Sequence, residues 1–345
     1  MTSEWETNAN TTVHQKPAEG STKPELFLTG GSGYVGRNLI RHFTAAGWRV
    51  VALVRSAQAA EVVAALGAVP FAGDLLDENL ADGMQGCQAL VHAAADTNHG
   101  RGTSQQVRTN LDGTRNVLVT ARQAGISRAV YISTESVLLD GRPLVNATER
   151  HPFPTRPAGT YSQTKGDAER LALSLDAPDF AVVAIRPRFV WGRDDTTALP
   201  YLVEVATSGQ LAWIDGGHYR SSTTHIANLC EGIDLALDRG RGGEVYFITD
   251  GAPEQFRTFI TRLLASQGVA APDKVVPRWL LRGLAAVGDV LADVSRGRIK
   301  PPITLQQFAT SAVEVTLDIT KARTELGYYP VITIDAGLAE LKAAN

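Results

Sequence analysis

The chain reads as an α/β fold, a doubly wound parallel sheet carrying a smaller, mostly helical substrate lobe. Three observations predict this. Short β-branched apolar runs alternate with longer helical stretches from Glu25 onward, glycines crowd the junction of the first strand and first helix, and the alternation fades after Pro187, where Trp, Gly and Arg enter loops. Repeated strand–helix units whose strands are apolar almost throughout require a sheet covered on both faces and wound right-handed.

The elements follow in order. "ELFLTG" is the first strand, the helix over about 34–46 is closed by Gly47, and "WRVVALVR" is the second strand. Then come "AVPFAGD", "ALVHAAA", a long helical stretch over 104–124, "RAVYIST", a helix opening at Tyr161 and "FAVVAIRPR". After a loop-rich stretch, "HIANLCEGIDLALDRG" and "GEVYFITDG" return to the earlier style, so the chain is expected to leave the sheet domain and come back. This predicts a dinucleotide-binding sheet domain over 24–190 and 224–250 and a substrate lobe over 191–223 and 251–345. Residues 1–23, polar and without an apolar core or cleavage pattern, predict a disordered tail and not a signal peptide. The most apolar later segment, 278–294, is interrupted by Arg282, Asp289 and Asp293, too soon for the roughly 20 apolar residues of a membrane span. It suits an amphipathic lid helix, with at most peripheral membrane contact.

With 345 residues, 20% charged, and a net charge of -3, nothing in the charge balance calls for nucleic acid or an anionic membrane. A small-molecule partner is the expectation. Cys87 and Cys230 lie far apart with no metal-ligand spacing, which suits buried thiols in a reducing compartment and predicts a cytoplasmic protein. His92, His99, His218 and His225 likewise lack metal spacing, so no metal is assigned.

"FLTGGSGYVGRNLI" places Gly30, Gly31, Gly33 and Gly36 between strand and helix. Glycines there allow a tight turn, bring backbone N–H groups against a pyrophosphate and let helix pack on strand, while the helix N-terminus favours the anion. The second strand ends "ALVRS". An arginine at that ribose, Arg55, can pair a 2′-phosphate and offers no acceptor to a 2′-hydroxyl, so NADP(H) is favoured, with NAD(H) possible.

"GTYSQTKGDAER" sets Tyr161 and Lys165 four residues apart, on one helix face. The chain has 7 lysines against 26 arginines, so lysine here suggests a demand for a compact ammonium. Such an ammonium could lower the phenol's pKa from about 10 and make Tyr161 a usable acid or base. "YISTES" ends the preceding strand at the ligand crevice, where the hydroxyls of Ser133, Thr134 and Ser136 could hold a substrate oxygen.

These pieces, together with "GDL" at 73–75, "HAAA" at 92–95, "TNLDGTRNV" around Asn110 and "IRPRFVWG", resemble the ordered motifs of the extended short-chain dehydrogenase/reductases, a Rossmann-fold family, over about 26–337. The resemblance implies Gly30, Gly33, Tyr34, Val35 and Gly36 at the pyrophosphate, Asp74 and Leu75 at the adenine, and Ala93, Ala94 and Ala95 along the cofactor. Pro187 to Val190 would line the nicotinamide. It implies Thr134 as catalytic hydroxyl with Ser133 beside it, Asn110 in the site's scaffold or proton relay, Tyr161 as acid/base, and Lys165 as its partner, also holding the nicotinamide ribose. Two departures stand out: threonine replaces the family's serine, and "RPRFVWG" lacks the asparagine typical of sugar-nucleotide epimerases.

"RPRFVWGRDDT", "STTHIANLCEG" and the "PRWLLRGLAA" to "KPPIT" tail resemble the 3β-hydroxysteroid dehydrogenase-like subgroup. That implies hydride transfer at a secondary carbinol carbon of a largely apolar, lipophilic substrate, of 3β-hydroxysteroid or β-hydroxy/β-keto acid type. Homodimers are common in the family. The rival readings are a sugar-nucleotide epimerase or dehydratase that retains NAD, and a non-catalytic NADP-binding sensor, which usually lacks the Tyr and Lys pair. Expected pocket walls are Val137, Leu138, Leu139, Phe189, Trp191, Leu199, Tyr201, Trp213 and the helix from Trp279 to Leu291. Arg188, Arg193 and Arg220 could bind a carboxylate, phosphate or CoA group.

Overall fold

The structure, a computed structural model, describes residues 23–100, 102–294 and 303–344. The expected tail falls on residues outside this set, apart from Lys23.

Seven parallel strands make one sheet. They are β1 (Glu25–Thr29), β2 (Arg49–Val54), β3 (Val69–Ala72), β4 (Ala89–His92), β5 (Arg128–Ile132), β6 (Ala181–Pro187) and β7 (Val245–Ile248), ordered β7-β6-β5-β4-β1-β2-β3. β1 pairs with β2 on one side and β4 on the other. The order reverses there, and in open parallel sheets a ligand crevice forms beyond the strand ends at that switch point.

The period-2 alternation of side chains splits the strands between two cores. Leu26, Leu28, Val50, Ala52, Val91, Val130 and Ile185 face one, which is closed by α1 (Tyr34–Ala45), α2 (Ala57–Ala65) and α5 (Ile226–Arg239). Phe27, Val51, Leu53, Leu90, Ala129, Val182 and Ala184 face the other, closed by α3 (Gly113–Gln123) and α4 (Thr160–Ser174). Leu26, Phe27 and Leu28 are each fully buried, which is why the strands read as unbroken apolar runs.

The long helical stretch before α3 is not one regular helix. A short α-turn, Ser104–Val107, runs into a π-turn, Arg108–Asp112, before α3 begins. The extra residue per turn rotates the helix face and brings Asn110 inward, a use of π-turns common near functional sites.

The two predicted segments of the chain interlock. A third cluster gathers Trp191, Leu199, Trp213, Phe259, Leu263, Leu338 and Leu341 away from the sheet. Phe308, Val315, Leu317 and Tyr328 instead join the core beneath α1 and α5. A strand from the first half, Leu144–Ala147, pairs with Val315–Leu317 in a small sheet that also holds Arg220–Ser221 and Glu254–Gln255. Short two-residue strands of this kind leave no periodicity in the sequence to predict them from. Among the described residues no helix is long and apolar enough to cross a membrane.

Candidate active site at the sheet switch point

The crevice opens on the glycine-rich turn after β1. Gly30 has φ 74, and a Cβ there would lie 2.8 Å from the backbone N of Ala94. A Cβ on Gly36 would lie 2.1 Å from the carbonyl oxygen of Gly30. Glycine is therefore required at both, at Gly30 for turn and contact and at Gly36 for helix-on-turn packing. α1 starts at Tyr34 with Gly33 as N-cap, no side-chain cap and no acid in its first turn. Its leading N–H groups, those of Tyr34 and Val35 included, are left for an anion. The Tyr34 side chain itself is buried, and burial with Asp195 nearby pushes its hydroxyl well above the usual range, so Tyr34 serves the turn through its backbone. Arg37 braces the rim by donating to the carbonyls of Ser32 (3.0 Å) and Asp194 (2.9 Å). Uncapped donors at the start of α1 fit a dinucleotide pyrophosphate.

At the far end Arg55 follows β2 with its guanidinium largely in solvent, 4.0 Å from the carboxylate of Asp74. Leu75 turns its side chain away from the surface. Its side chain packs in the core closed by α3 and α4, Gly113 lies against it, and its carbonyl accepts from Asn116 (2.8 Å), which leaves its backbone N–H to face a cofactor. Ala93, Ala94 and Ala95 continue β4 along the crevice floor, with the Ala94 N–H donating to Thr29 Oγ1 (3.1 Å). Pro187 ends β6, and Val190 pairs with Thr224 just beyond it. Between them Phe189 has φ 42, a strained conformation for an aromatic residue, held by its edge contact with Phe259.

Thr134, Tyr161 and Lys165 meet at the ends of β5 and α4. Tyr161 lies beside Thr134, and its ring packs against that of His99 at 4.6 Å. The buried Lys165 donates from Nζ to the carbonyl of Ile132 (2.7 Å) and sits 4.2 Å above the Tyr131 ring. The expected electrostatic pairing is reversed. Burial pushes the Tyr161 hydroxyl above its usual range, Glu135 raises it further, and Thr134 alone pulls it down. Burial likewise pushes the Lys165 ammonium down to about 7, against the opposing pull of Glu169. Desolvation outweighs attraction because both groups are enclosed and the ammonium is turned to a carbonyl and an aromatic face.

Asn110 is scaffold. Its Oδ1 accepts from Asp96 N (2.8 Å) while Nδ2 donates to the Asp96 carbonyl (3.1 Å) and to Thr164 Oγ1 (3.1 Å), tying the loop after β4 to α4. Ser133 is not placed to hold a substrate oxygen. Its hydroxyl donates to Glu169 Oε2 (2.5 Å), and that carboxylate is paired with buried Arg186. Alternation along the strand end explains it, since Ser133 and Thr134 point opposite ways. Ser136 also stays buried, with its Oγ 3.2 Å from that of Thr134.

The expected pocket walls are mostly core. Val137, Leu138 and Leu139 belong to the sheet core, and Trp191, Leu199 and Trp213 to the third cluster. Tyr201 and Trp279 are exposed. Arg188 is unavailable to an anionic substrate: it donates to Glu135 (2.6 Å), Ser221 (3.2 Å) and the carbonyl of Thr310 (2.9 Å). Arg220 donates to the Pro253 carbonyl (2.8 Å). The histidines serve separately: His92 bridges Thr29 (2.7 Å) and Thr114 (3.0 Å), His225 opens α5 as its N-cap, and His218 lies 3.3 Å from Gln255.

Three residues escaped the sequence reading. His99 carries no local signal, because a loop far along the chain delivers it to Tyr161. Gln306 caps α4 through Ser162 N (3.2 Å) and Ser162 Oγ (2.8 Å), across 144 residues. Glu135, inside "YISTES", was legible beside Thr134 but passed over.

Fold and site together define a nicotinamide-dinucleotide-dependent oxidoreductase of the extended short-chain type. The chain belongs to the 3-beta hydroxysteroid dehydrogenase/isomerase family, which it matches over residues 27–278. It is 47% identical to a 4-hydroxy-2-methyl-3-oxo-4-farnesyl-3,4-dihydroquinoline-1-oxide ketoreductase of Stigmatella aurantiaca, over 92% of this chain and 96% of that protein. It is 30% identical to a decarboxylating sterol-4-alpha-carboxylate 3-dehydrogenase of Dictyostelium discoideum, over 92% of this chain and 99% of that one. A similar solved structure is DesIV, a dTDP-glucose 4,6-dehydratase from Streptomyces venezuelae with NAD and TYD bound, at 25% identity and TM-score 0.71, covering 92% of this chain and 96% of that one. The chain is an NAD(P)-dependent enzyme interconverting an alcohol and a ketone.

Proposed function

We propose that the reaction runs on a large, mostly apolar secondary alcohol or ketone, of the 3β-hydroxysteroid or β-hydroxy/β-keto acid type, with NADP(H) preferred. A nicotinamide held at the glycine-rich turn and Lys165 would supply or accept the hydride. Tyr161 moves the proton of the reacting oxygen, Thr134 holds that oxygen beside it, and Lys165 holds the cofactor end next to the phenol. Asn110 keeps the floor of the site in register with α4.

The observation that carries this reading is that Thr134 lies beside Tyr161 while Lys165, one turn along α4, donates to Ile132 at the end of β5. The names of the two relatives support the substrate class. A farnesylated ring ketone and a sterol carboxylate are both large and apolar, and oxidising a hydroxyl β to a carboxylate gives a β-keto acid, which loses carbon dioxide readily. Arg55 supports NADP(H), since its solvent-exposed guanidinium, 4.0 Å from Asp74, stands beyond β2, where a 2′-phosphate would need a cation.

Tyr161→Phe tests the chemistry. Turnover of sterol and β-keto acid probes, followed by reduced-cofactor absorbance, should fall by roughly 10²- to 10⁴-fold, the usual worth of a positioned acid/base, while cofactor affinity is kept. Unchanged turnover would remove Tyr161 from the mechanism.

A further inference from the structure

His99 makes a contact that the proposed chemistry does not use. It lies in the loop after β4, a strand at the switch point of the sheet, so this loop borders the crevice. Its half-buried imidazole packs on the Tyr161 ring, with centroids 4.6 Å apart and planes tilted by 49°. The backbone around the ring is tied down. The Asn98 carbonyl accepts from Gln106 Nε2 (2.8 Å), the Gly100 N–H donates to Asn98 Oδ1 (2.8 Å), and the His99 carbonyl accepts from Thr304 Oγ1 (3.3 Å). The ring nitrogens, by contrast, form no hydrogen bond with any of the described residues. Burial pushes the imidazole below its usual range, with Glu135 opposing, so near neutral pH it is uncharged and offers one N–H and one lone pair. A polar ring held in place by its backbone, with its own hydrogen bonds unspent, is built to meet a ligand.

Resting on the reading of Tyr161 as the acid/base for a β-hydroxy or β-keto acid, we propose that His99 is a specificity-determining residue, which donates a hydrogen bond to the substrate's carboxyl group. In such a substrate the carboxyl group stands on the carbon next to the reacting one. With the reacting oxygen at the Tyr161 phenol, the carboxyl oxygens therefore lie beside that phenol, and His99 is the side chain packed on its ring. Two of the arginines that the sequence offered for an anion are occupied elsewhere. Arg188 is held by Glu135, Ser221 and the Thr310 carbonyl, and Arg220 by the Pro253 carbonyl. An N–H donated to a carboxylate is charge-assisted and stronger than a bond between neutral groups. A half-enclosed donor also disfavours a compound that brings no acceptor, since the N–H then loses part of its hydration for nothing. The packing and the hydrogen bond are separable by substitution: a phenyl ring keeps the first alone, and a glutamine amide keeps the second alone.

The test compares two probes with NADP⁺, 3-hydroxydodecanoate and 2-undecanol, which lacks only the carboxyl group, by following reduced-cofactor absorbance. The unmodified protein should prefer the acid, taken as the ratio of the two kcat/KM values. His99→Phe should cut that ratio by about 10- to 100-fold, the worth of one hydrogen bond to a charged group, with the change carried by the KM for the acid. His99→Gln should keep more of the preference than His99→Phe, because its amide N–H still reaches the carboxyl group. Should the phenyl ring disturb the loop, His99→Leu removes the donor without a ring and should cut the ratio to the same extent. An unmodified protein without preference for the acid overturns the proposal. So does a ratio left unmoved by His99→Phe, including equal losses on both probes, or a glutamine variant no better than phenylalanine, since each assigns the ring to packing. If the unmodified protein turns over neither probe, or turnover survives Tyr161→Phe, the underlying reading falls. Turnover of the acid that depends on Tyr161, with an unmoved ratio, sinks only this inference.

Discussion

Lys165 and Arg55 show how differently a cation behaves when it is enclosed and when it is not. Lys165 is walled in by Ile132, Tyr131 and α4, so burial decides its protonation and holds it near the point of losing its charge. An arginine could not be tuned this way, because its guanidinium does not deprotonate in proteins, which gives a physical reason for the scarce lysine at this position. Arg55 lies mostly in solvent, and its worth depends on what anion arrives. Arg55→Ala should therefore raise the KM for NADPH by about 10-fold or more, the loss of one charge-assisted contact, and leave the KM for NADH nearly unchanged. Equal effects on both cofactors would place Arg55 away from the ribose. The roles of individual residues were only partly legible. Tyr161, Lys165 and Thr134 announce themselves by spacing and by their strand-end position, whereas the inward turn of Ser133 and the occupied fork of Arg188 depend on partners 36 and 122 residues away.

At the scale of elements, the turn into α1 and the start of α4 carry the site. α1 leaves its first N–H groups uncapped, and α4 borrows its cap from Gln306 because Gly159 has no side chain to offer. Both arrangements put a helix N-terminus at the crevice, and each depends on close packing there. Gly36→Ala should be costly: the new methyl would meet the Gly30 carbonyl, and relieving that contact shifts the turn. The expected loss is about 1–3 kcal/mol of stability, read by denaturant unfolding, together with weakened cofactor binding. Full retention of both would mean the turn is looser than its contacts indicate. The strands and main helices of this region were legible because their periodicity is local. The π-turn at Arg108–Asp112 was not, since its bonding shift of a single residue leaves the apolar spacing nearly intact.

Across the whole molecule, one sheet is shared by two cores, and residues near the C-terminus return to pack beneath it. Phe308, Ala312 and Leu326 lie in the same cluster as β1 and α1, so the C-terminal segment and the glycine-rich turn rest on one core. Cofactor binding should then stabilise the whole chain. At 100 times its Kd, NADPH should add about 2.7 kcal/mol and raise the thermal midpoint by several degrees, while NADH at the same concentration should add less. A midpoint that responds equally to both would count against the NADP(H) preference, and no response to either would count against the crevice as the binding site.

From residue order alone, the alternation of apolar runs and the glycine spacing determined the fold class and the cofactor class, and the Tyr161–Lys165 interval singled out the proposed pair, because each is written within one turn or one strand of chain. The tertiary structure decided what those groups experience. Burial raises Tyr161 and lowers Lys165, Glu135 takes the Thr134 proton, His99 reaches the phenol from its own loop, and most of the anticipated pocket wall turns out to be core. Desolvation and hydrogen-bond direction depend on every neighbour in space, and no spacing along the chain records them.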